Sequence, residues 1–369
     1  MIPYGHQSIS KKDIQRVSTV LRSDWLTQGP EVSRFEEALA RYTGAKYAVA
    51  VANGTVALHA AYLAAGIKSG DEVITTANTF VGTANMLVAI GAKPVFCDIR
   101  SDTCNIDETK IEELITKKTK AIVPVHIFGH PCEMDAIYRI AKKYHLVVIE
   151  DACHALGARY KSKPVGNLKS AATVFSFHPV KAITTGEGGA IVTNDKALYT
   201  KMKLLRSHGL VKDKNGFNVM SELGYNYRLN DLQAALGRSQ LTRINSFIKS
   251  RHSLVKLYNQ LLSKEKNIIL PMELSHTYSG WHIYVIRTSD SRQRLPLYHF
   301  LQKKGVGVNF HYPTVYSHPF YKKLGYTKVA CPVADLYHET AITLPLFTHL
   351  SRRDVSYVCD LIKEFFAAR

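Results

Sequence analysis

From Lys46 to about residue 150 the chain alternates short apolar runs with amphipathic segments, and this alternation restricts the fold more than any other feature. The runs read "YAVAVA", "VALHAAYLAAGI", "DEVITT", "TANMLVAIGA", "KPVFCDI", "KIEELITKKT", "KAIVPVHI", "EMDAIYRIAKKYH" and "LVVIE". Strand and helix periods alternating at this spacing favour right-handed crossovers that build a mostly parallel, buried sheet. In such sheets the loops at the carboxyl ends of the strands carry the chemistry. Two further runs, "AATVFSF" and "GAIVTN", continue the sheet, and helical patterns follow at "ALYTKMKLLRS", "LNDLQAALGRSQLTRI" and "INSFIKSRHSLVKLYNQLLSK". The long helix near 248–262 reads as a domain connector. After about residue 265 the texture changes to "GWHIYVIRT", "LPLYHFLQKKG", "VGVNFHY" and "RRDVSYVCDLIKEFFAAR", a smaller α+β unit. The expected organisation is a large domain over 1–250, including an N-terminal pocket segment, and a small domain over 251–369.

A chain of 369 residues with 46% apolar content can bury cores of this size. Its six cysteines are dispersed without a C-x-x-C pair, so neither a zinc site nor a disulfide framework is indicated. The net charge of +18 raises nucleic acid as a partner, but the basic residues scatter as pairs such as Lys11-Lys12, Lys142-Lys143 and Lys303-Lys304. Without a dense basic run or aromatic interleave, a small anionic substrate fits better. The opening "MIPYGHQSISKKD" holds no apolar stretch of signal-peptide length, and no run approaches a membrane span, so a cytoplasmic protein is expected.

Three strand-end features carry chemistry. "LVVIEDACHALGARY" ends a strand in Glu150 and Asp151 and continues to His154; Asp151 is placed either to face a ligand or to cap a helix. "FSFHPVKAITTGEGGAIVTND" sets Ser176, His178 and Lys181 before Gly186, Gly188 and Gly189. A lysine in so turn-rich a place between two strands is costly unless paired, neutral or used covalently. "VANGTVALHAAYLAAG" opens a helix at Asn53-Gly54-Thr55, a plain cap or a phosphate cradle. Taken together, a phosphate cradle, an acid and a lone amine describe pyridoxal 5′-phosphate (PLP).

Nearly the whole chain resembles the DegT/DnrJ/EryC1/StrS aminotransferases, which aminate nucleotide-linked keto-sugars. The resemblance rests on "WLTQGPEVSRFEEALARYTGAKYAVAVANGT", "NTFVGTANMLVAIGAKPVFCDI", "VIEDACHALGA", "FSFHPVKAITTGEGGAIVTND", "RSHG", "GYNYRLNDLQAALG" and "HYP". It implies a fold-type I PLP-dependent transferase with a large, mostly parallel-sheet domain and a smaller C-terminal α+β domain. Lys181 would carry the cofactor and shuttle a proton, and Asp151 would hold the pyridine nitrogen protonated. Gly54, Thr55 and Ser176 would bind the phosphate, Phe80 would stack on the ring, and His154 would approach its 3-oxygen. Asn226 would reach the phosphate of a neighbouring subunit, which implies a homodimer with shared active sites. Tyr4, Trp25, Leu26, Thr27, Arg228, His311, Tyr312 and Tyr316 resemble substrate-pocket positions.

The resemblance implies L-glutamate as amino donor. "FHPVKAITTGEGGA", "RSHGL", "HIYVI" and "FHYPTVY" are most similar to members acting on UDP-linked 4-keto-6-deoxy-N-acetylhexosamines in pseudaminic acid biosynthesis. UDP-4-keto-6-deoxy-L-AltNAc is the expected acceptor. Another dTDP-, GDP- or UDP-linked keto-sugar is the alternative, and a non-catalytic regulator on the same fold is the more distant one. Two positions depart from the family pattern: Asn53, where relatives often have serine, and Cys153, where alanine is common. Sugar dehydratases of the same superfamily replace the lysine by histidine; here it is lysine.

Overall fold

The computed structural model describes residues 1–368. Two amphipathic helices come first. α1 (Lys11–Leu21) starts on a capping box, with the Asp13 amide donating to Ser10 Oγ and the Ser10 amide donating to the Asp13 carboxylate. α2 (Pro30–Thr43) has proline in its first turn and ends on left-handed Gly44, but Gly29 gives it no side-chain cap. The cap comes from Asp231, a buried residue two hundred positions away, which accepts from the amides of Gly29 at 2.8 Å and Glu31 at 2.9 Å.

The alternating region then builds β1 (Tyr47–Val51), α3 (Gly54–Ala64), β2 (Glu72–Thr76), α4 (Gly82–Ala89), β3 (Lys93–Cys97), β4 (Thr119–Val123), α5 (Met134–Tyr144) and β5 (Val147–Asp151). The amphipathic run near 110–119 forms only two 3₁₀ turns, Glu108–Lys110 and Glu112–Leu114. Short strands β6 (Arg159–Tyr160) and β7 (Lys163–Pro164) precede β8 (Ala172–Ser176), β9 (Gly189–Thr193) and α6 (Lys196–Arg206). An exposed hairpin, β10 (Leu210–Lys212) and β11 (Asn218–Met220), leads to α7 (Asp231–Leu241) and α8 (Ile244–Leu262).

Seven strands form the main sheet in the order β1-β9-β8-β5-β4-β2-β3, with β9 running against its neighbours and every other paired strand parallel. α3, α4 and α6 cover one face through Leu58, Leu87, Met202 and Leu205. α5 covers part of the other through Ile137 and Ile140, and α2 with α7 cover the rest through Phe35, Leu39 and Ala234. Burial on both faces explains why β2 and β9 are buried throughout.

α8 passes between two cores: Phe247 and Ile248 pack in the large one, and Leu254, Tyr258 and Leu262 in the small one. The small unit continues with β12 (Ile268–Ile269), β13 (Thr277–Tyr278), which pairs with β6, and β14 (Tyr284–Thr288). α9 (Arg294–Lys303), α10 (Pro319–Lys323), α11 (Pro332–Thr340), β15 (Ala341–Leu344) and α12 (Arg352–Ala367) complete it, with β12-β14-β15 as its sheet. The first few residues of the chain pair with this small unit before the segment reaches the large one at Ser8. Ile2 bridges Val306, and the Leu346 amide donates to Tyr4 O at 3.0 Å. Gly307 permits the approach, since a Cβ there would meet Ile2 O at 2.9 Å and Tyr4 N at 3.0 Å. No helix among the described residues is long and apolar enough to cross a membrane.

The remote cap on α2 is a stability test. Asp231→Ala leaves two amides at the helix start without acceptors and should cost about 1–2 kcal/mol. The expected outcome is a lower thermal midpoint with an unchanged far-ultraviolet spectrum, and Asp231→Asn should lose less.

Candidate active site

Parallel alignment puts the carboxyl ends of β1, β2, β5 and β8 on one edge of the sheet, where they open onto a cavity of about 720 Å³. From β1 the chain passes through Asn53 into α3, and Gly54 and Thr55 line the cavity. Asn53 caps that helix by accepting from the Val56 amide at 3.0 Å. Its side chain is thereby used, leaving the first amides of α3 with the hydroxyls of Thr55 and Ser176 as the groups suited to an anion. A Cβ on Gly54 would meet Ser176 Cβ at 3.0 Å and Cys153 Sγ at 3.2 Å, so glycine lets the helix start lie against the end of β8.

Asp151 ends β5 and is buried. Thr83, in the first turn of α4, donates to Oδ2 at 2.7 Å, and the Cys153 amide donates to Oδ1 at 3.1 Å. These bonds orient the carboxylate into the cavity while it remains an acceptor for a further cation or N–H.

Lys181 sits on the excursion between β8 and β9. Phe177 closes the base of that loop: its amide donates to Gly188 O at 2.8 Å, and its carbonyl accepts from the Thr185 amide at 3.0 Å. Gly189 is required where the loop returns, because a Cβ there would meet the Asn53 carbonyl at 2.5 Å. Lys181 is half-buried, with Nζ 3.4 Å from His282 Nε2. Loss of water around the amine pushes its pKa down to about 8, against the opposing pull of the Asp151 carboxylate.

Three histidines face this amine. Burial, followed by the charge of Lys181, pushes His154 and His282 well below the ordinary histidine range and His311 down to about 4. The Phe128 amide donates to His154 Nδ1 at 3.3 Å, which leaves the ring proton of the neutral imidazole on Nε2, 3.3 Å from Tyr312 Oη. The rings of His154 and His282 are 4.4 Å apart, and His311 Nδ1 meets Thr343 Oγ1 at 2.7 Å.

Of the residues predicted from sequence, Gly54, Thr55, Phe80, Asp151, His154, Ser176, Lys181, Tyr4, His311 and Tyr312 line this cavity. Phe80 stands 55% exposed at its mouth, its ring 5.9 Å from that of Tyr312. Trp25, Leu26, Thr27, Asn226 and Arg228 do not line the cavity of their own chain. They lie together beside β1, where Thr27 bridges Asn230, Val51 bridges Arg228 and Ser207 bridges Asn226. Tyr316 is corrected outright. It is buried among Phe96 and its neighbours, donates to Asp335 at 2.7 Å and accepts from the Cys331 amide at 3.0 Å, so its hydroxyl is consumed inside a core that β3 shares with the small unit.

Sequence reasoning missed Thr83 and His282. For the first, the only local signal is a hydroxyl in the opening turn of the helix that follows "NTFV". For His282, the only local signal is a histidine entering the apolar strand "GWHIYVI".

The lysine, the acid and the hydroxyl-lined helix start fit PLP. The sequence pattern of the DegT/DnrJ/EryC1/StrS aminotransferase family matches residues 7–363. A UDP-4-amino-4,6-dideoxy-N-acetyl-beta-L-altrosamine transaminase of Campylobacter jejuni is 40% identical over 98% of this chain and 96% of its own. Among solved structures, Helicobacter pylori PseC, described as an aminotransferase involved in the biosynthesis of pseudoaminic acid, is similar over all of both chains at 35% identity, with a TM-score of 0.96. The PLP form of Spr1654 from Streptococcus pneumoniae is similar over 100% of this chain and 99% of its own at 30% identity, with a TM-score of 0.94.

Two measurements test this geometry. Removing the Thr83 donor by Thr83→Val should weaken PLP binding at least about tenfold, since a hydrogen bond to a charged group contributes about 1.5–3 kcal/mol; equilibrium titration of the cofactor-free protein reads this. In the same cofactor-free protein, trace acetylation of Lys181 should rise through pH about 8, whereas an ordinary lysine titrates near pH 10.4. A folded-state pKa below the unfolded one means that the unfolded chain binds more protons at this site between the two values. The Lys181 contribution to stability therefore improves as pH rises from about 8 toward the ordinary lysine range.

Proposed function

The chain belongs to the DegT/DnrJ/EryC1/StrS aminotransferase family, and from that premise we propose that it transfers the amino group of L-glutamate to C4 of UDP-4-keto-6-deoxy-L-AltNAc. The observation that carries this reading is Lys181 with a lowered pKa, sharing one cavity with an oriented Asp151 and the hydroxyl-lined start of α3. PLP supplies the electron sink for such an exchange when it is bound. The remaining work falls to the chain. Asp151, held by Thr83 and the Cys153 amide, would keep a positive charge paired on the pyridine nitrogen. The α3 amides, Thr55 and Ser176 would hold the phosphate. Lys181 would take up and return a proton at Nζ, for which an amine lowered to about 8 is better suited than an ordinary lysine. Phe80 and Tyr312 narrow the mouth against water.

The acceptor sugar rests on likeness to the Campylobacter jejuni transaminase and to PseC. A panel of UDP-, dTDP- and GDP-linked 4-keto-6-deoxy sugars, scored by 2-oxoglutarate release from glutamate, should show the highest kcat/KM with the UDP-linked altrose derivative. Preference for a dTDP- or GDP-linked sugar would move the assignment to the alternative. A visible cofactor band unchanged by glutamate would favour a binding-only regulator.

We propose further that the active form is a homodimer in which Asn226 serves the partner's site. The hairpin β10–β11 and its flank expose Phe217 at 69%, Met220 at 70% and Leu223 at 69%, and Trp25 and Leu26 are also exposed, a run of apolar side chains suited to a second copy. Co-expression separates sharing from self-sufficiency. Lys181→Ala and Asn226→Ala protomers should each be inactive or nearly so as homodimers. Their heterodimer should regain one intact site and up to half the activity if Asn226 acts across the interface, and none if it acts within its own chain.

A further inference from the structure

His154 holds its ring proton on the nitrogen that faces the cavity only because a backbone N–H occupies the other nitrogen, and that N–H belongs to a strained loop. Phe128 adopts φ 61°, a left-handed conformation that costs a non-glycine residue about 1–2 kcal/mol. Gly129 follows at φ 99°, where a Cβ would meet His154 O at 2.9 Å and Trp281 N at 2.8 Å. Such a loop persists when its surroundings over-determine it. Its carbonyl side is tied to the cavity wall, with the His282 amide donating to Phe128 O at 2.7 Å and the Gly280 amide to Gly129 O at 2.9 Å.

The other ties lie away from the cavity. Glu150 is turned toward α5, opposite to Asp151, because side chains alternate across a strand. Its Oε2 lies 2.7 Å from His126 Nε2, and both side chains are fully buried. The Cys132 amide donates to His126 Nδ1 at 3.1 Å, so His126 Nε2 carries the proton that Glu150 accepts. Thr173 also donates to Glu150, at 3.1 Å. Asn105 pins the same loop from outside, accepting from the Ile127 amide at 3.0 Å and donating to His130 O at 3.0 Å. The His126 amide in turn donates to Asp151 O at 3.0 Å.

We infer that Glu150, His126 and Asn105 are positioning residues for His154: by holding residues 126–130 in the strained turn they present the Phe128 amide to Nδ1 and thereby fix the Nε2–H tautomer that faces the cavity. Glu150 acts through His126 and Phe128 without touching cavity contents. A slackened loop frees Nδ1, and the proton then distributes between the two nitrogens. The catalytic consequence rests on the aminotransferase reading, in which Nε2–H would face the cofactor ring; the tautomer itself does not.

The test uses the full chain, ¹⁵N-labelled at histidine, with and without bound PLP, and reads the His154 tautomer from the ring ¹⁵N shifts. Wild type should show Nε2–H alone, and Glu150→Gln, which keeps an acceptor for His126, should match it. Glu150→Leu and Asn105→Ala should each show a mixture of tautomers, and in holoprotein the pH midpoint of the visible band should move with it while Glu150→Gln leaves it in place. Asn105→Ala introduces no unpaired buried donor on His126, so it decides the matter if Glu150→Leu does not fold. A single Nε2–H tautomer in folded Asn105→Ala, or Nδ1–H in wild type, overturns the inference. A wild type that binds no PLP would instead sink the aminotransferase reading, leaving the tautomer result standing.

Discussion

An ammonium group in a partly dry cavity is costly, and the arrangement at the sheet edge follows from that cost at Lys181. Burial pushes the amine toward its neutral form, while the Asp151 carboxylate across the cavity pulls the other way. The two tendencies leave an amine that changes its protonation near physiological pH. The three histidines around it do not compete, because the same burial and the same lysine keep His154, His282 and His311 neutral. A second cation there would have raised the cost of the first.

Holding that balance requires precise placement from widely separated parts of the chain. Asp151 and Ser176 arrive on parallel neighbours β5 and β8, whose shared direction puts both at one edge. Thr83 arrives on α4 and His282 from the start of the small unit, so the cavity is closed only when the two units pack together. α8 makes that packing continuous by contributing to both cores, and buried Arg251 reinforces it, donating from one nitrogen to the carbonyls of Trp281, His282 and Leu346. The segment carrying His282 is thus tied to the connector helix as well as to the strained turn at Phe128.

The surface shows a second division of labour. The edge formed by residues 25–27, 226–230 and the hairpin gathers exposed apolar groups beside β1 without closing on its own cavity. Residues expected at the pocket from the resemblance therefore lie together but outside it in a single chain. A self-contained cavity and an unclosed ledge belong together if the ledge of one copy completes the site of another.

Local pattern was enough to read the sheet, because alternation of strand and helix periods is written in neighbouring residues. It also brought Gly54, Asp151, Ser176 and Lys181 to one edge, since strand ends in a parallel sheet share a direction, but it left Asp151 and Gly54 open between cap and ligand contact, and only the family resemblance assigned them roles. The partner of the first few residues was not legible because an extended segment without periodicity carries no sign of which sheet it joins, and Ile2 pairs with Val306 three hundred positions away although Tyr4 lines the cavity as expected. Tyr316 was misjudged because an aromatic at a strand end reads the same whether it faces a pocket or, as here, donates to Asp335 inside a core. Thr83, His282 and the Glu150–His126 pair took their roles only from tertiary contact. Hydrogen bonds and desolvation act through space over a few ångströms, and nothing in the local sequence records which distant side chain will supply them.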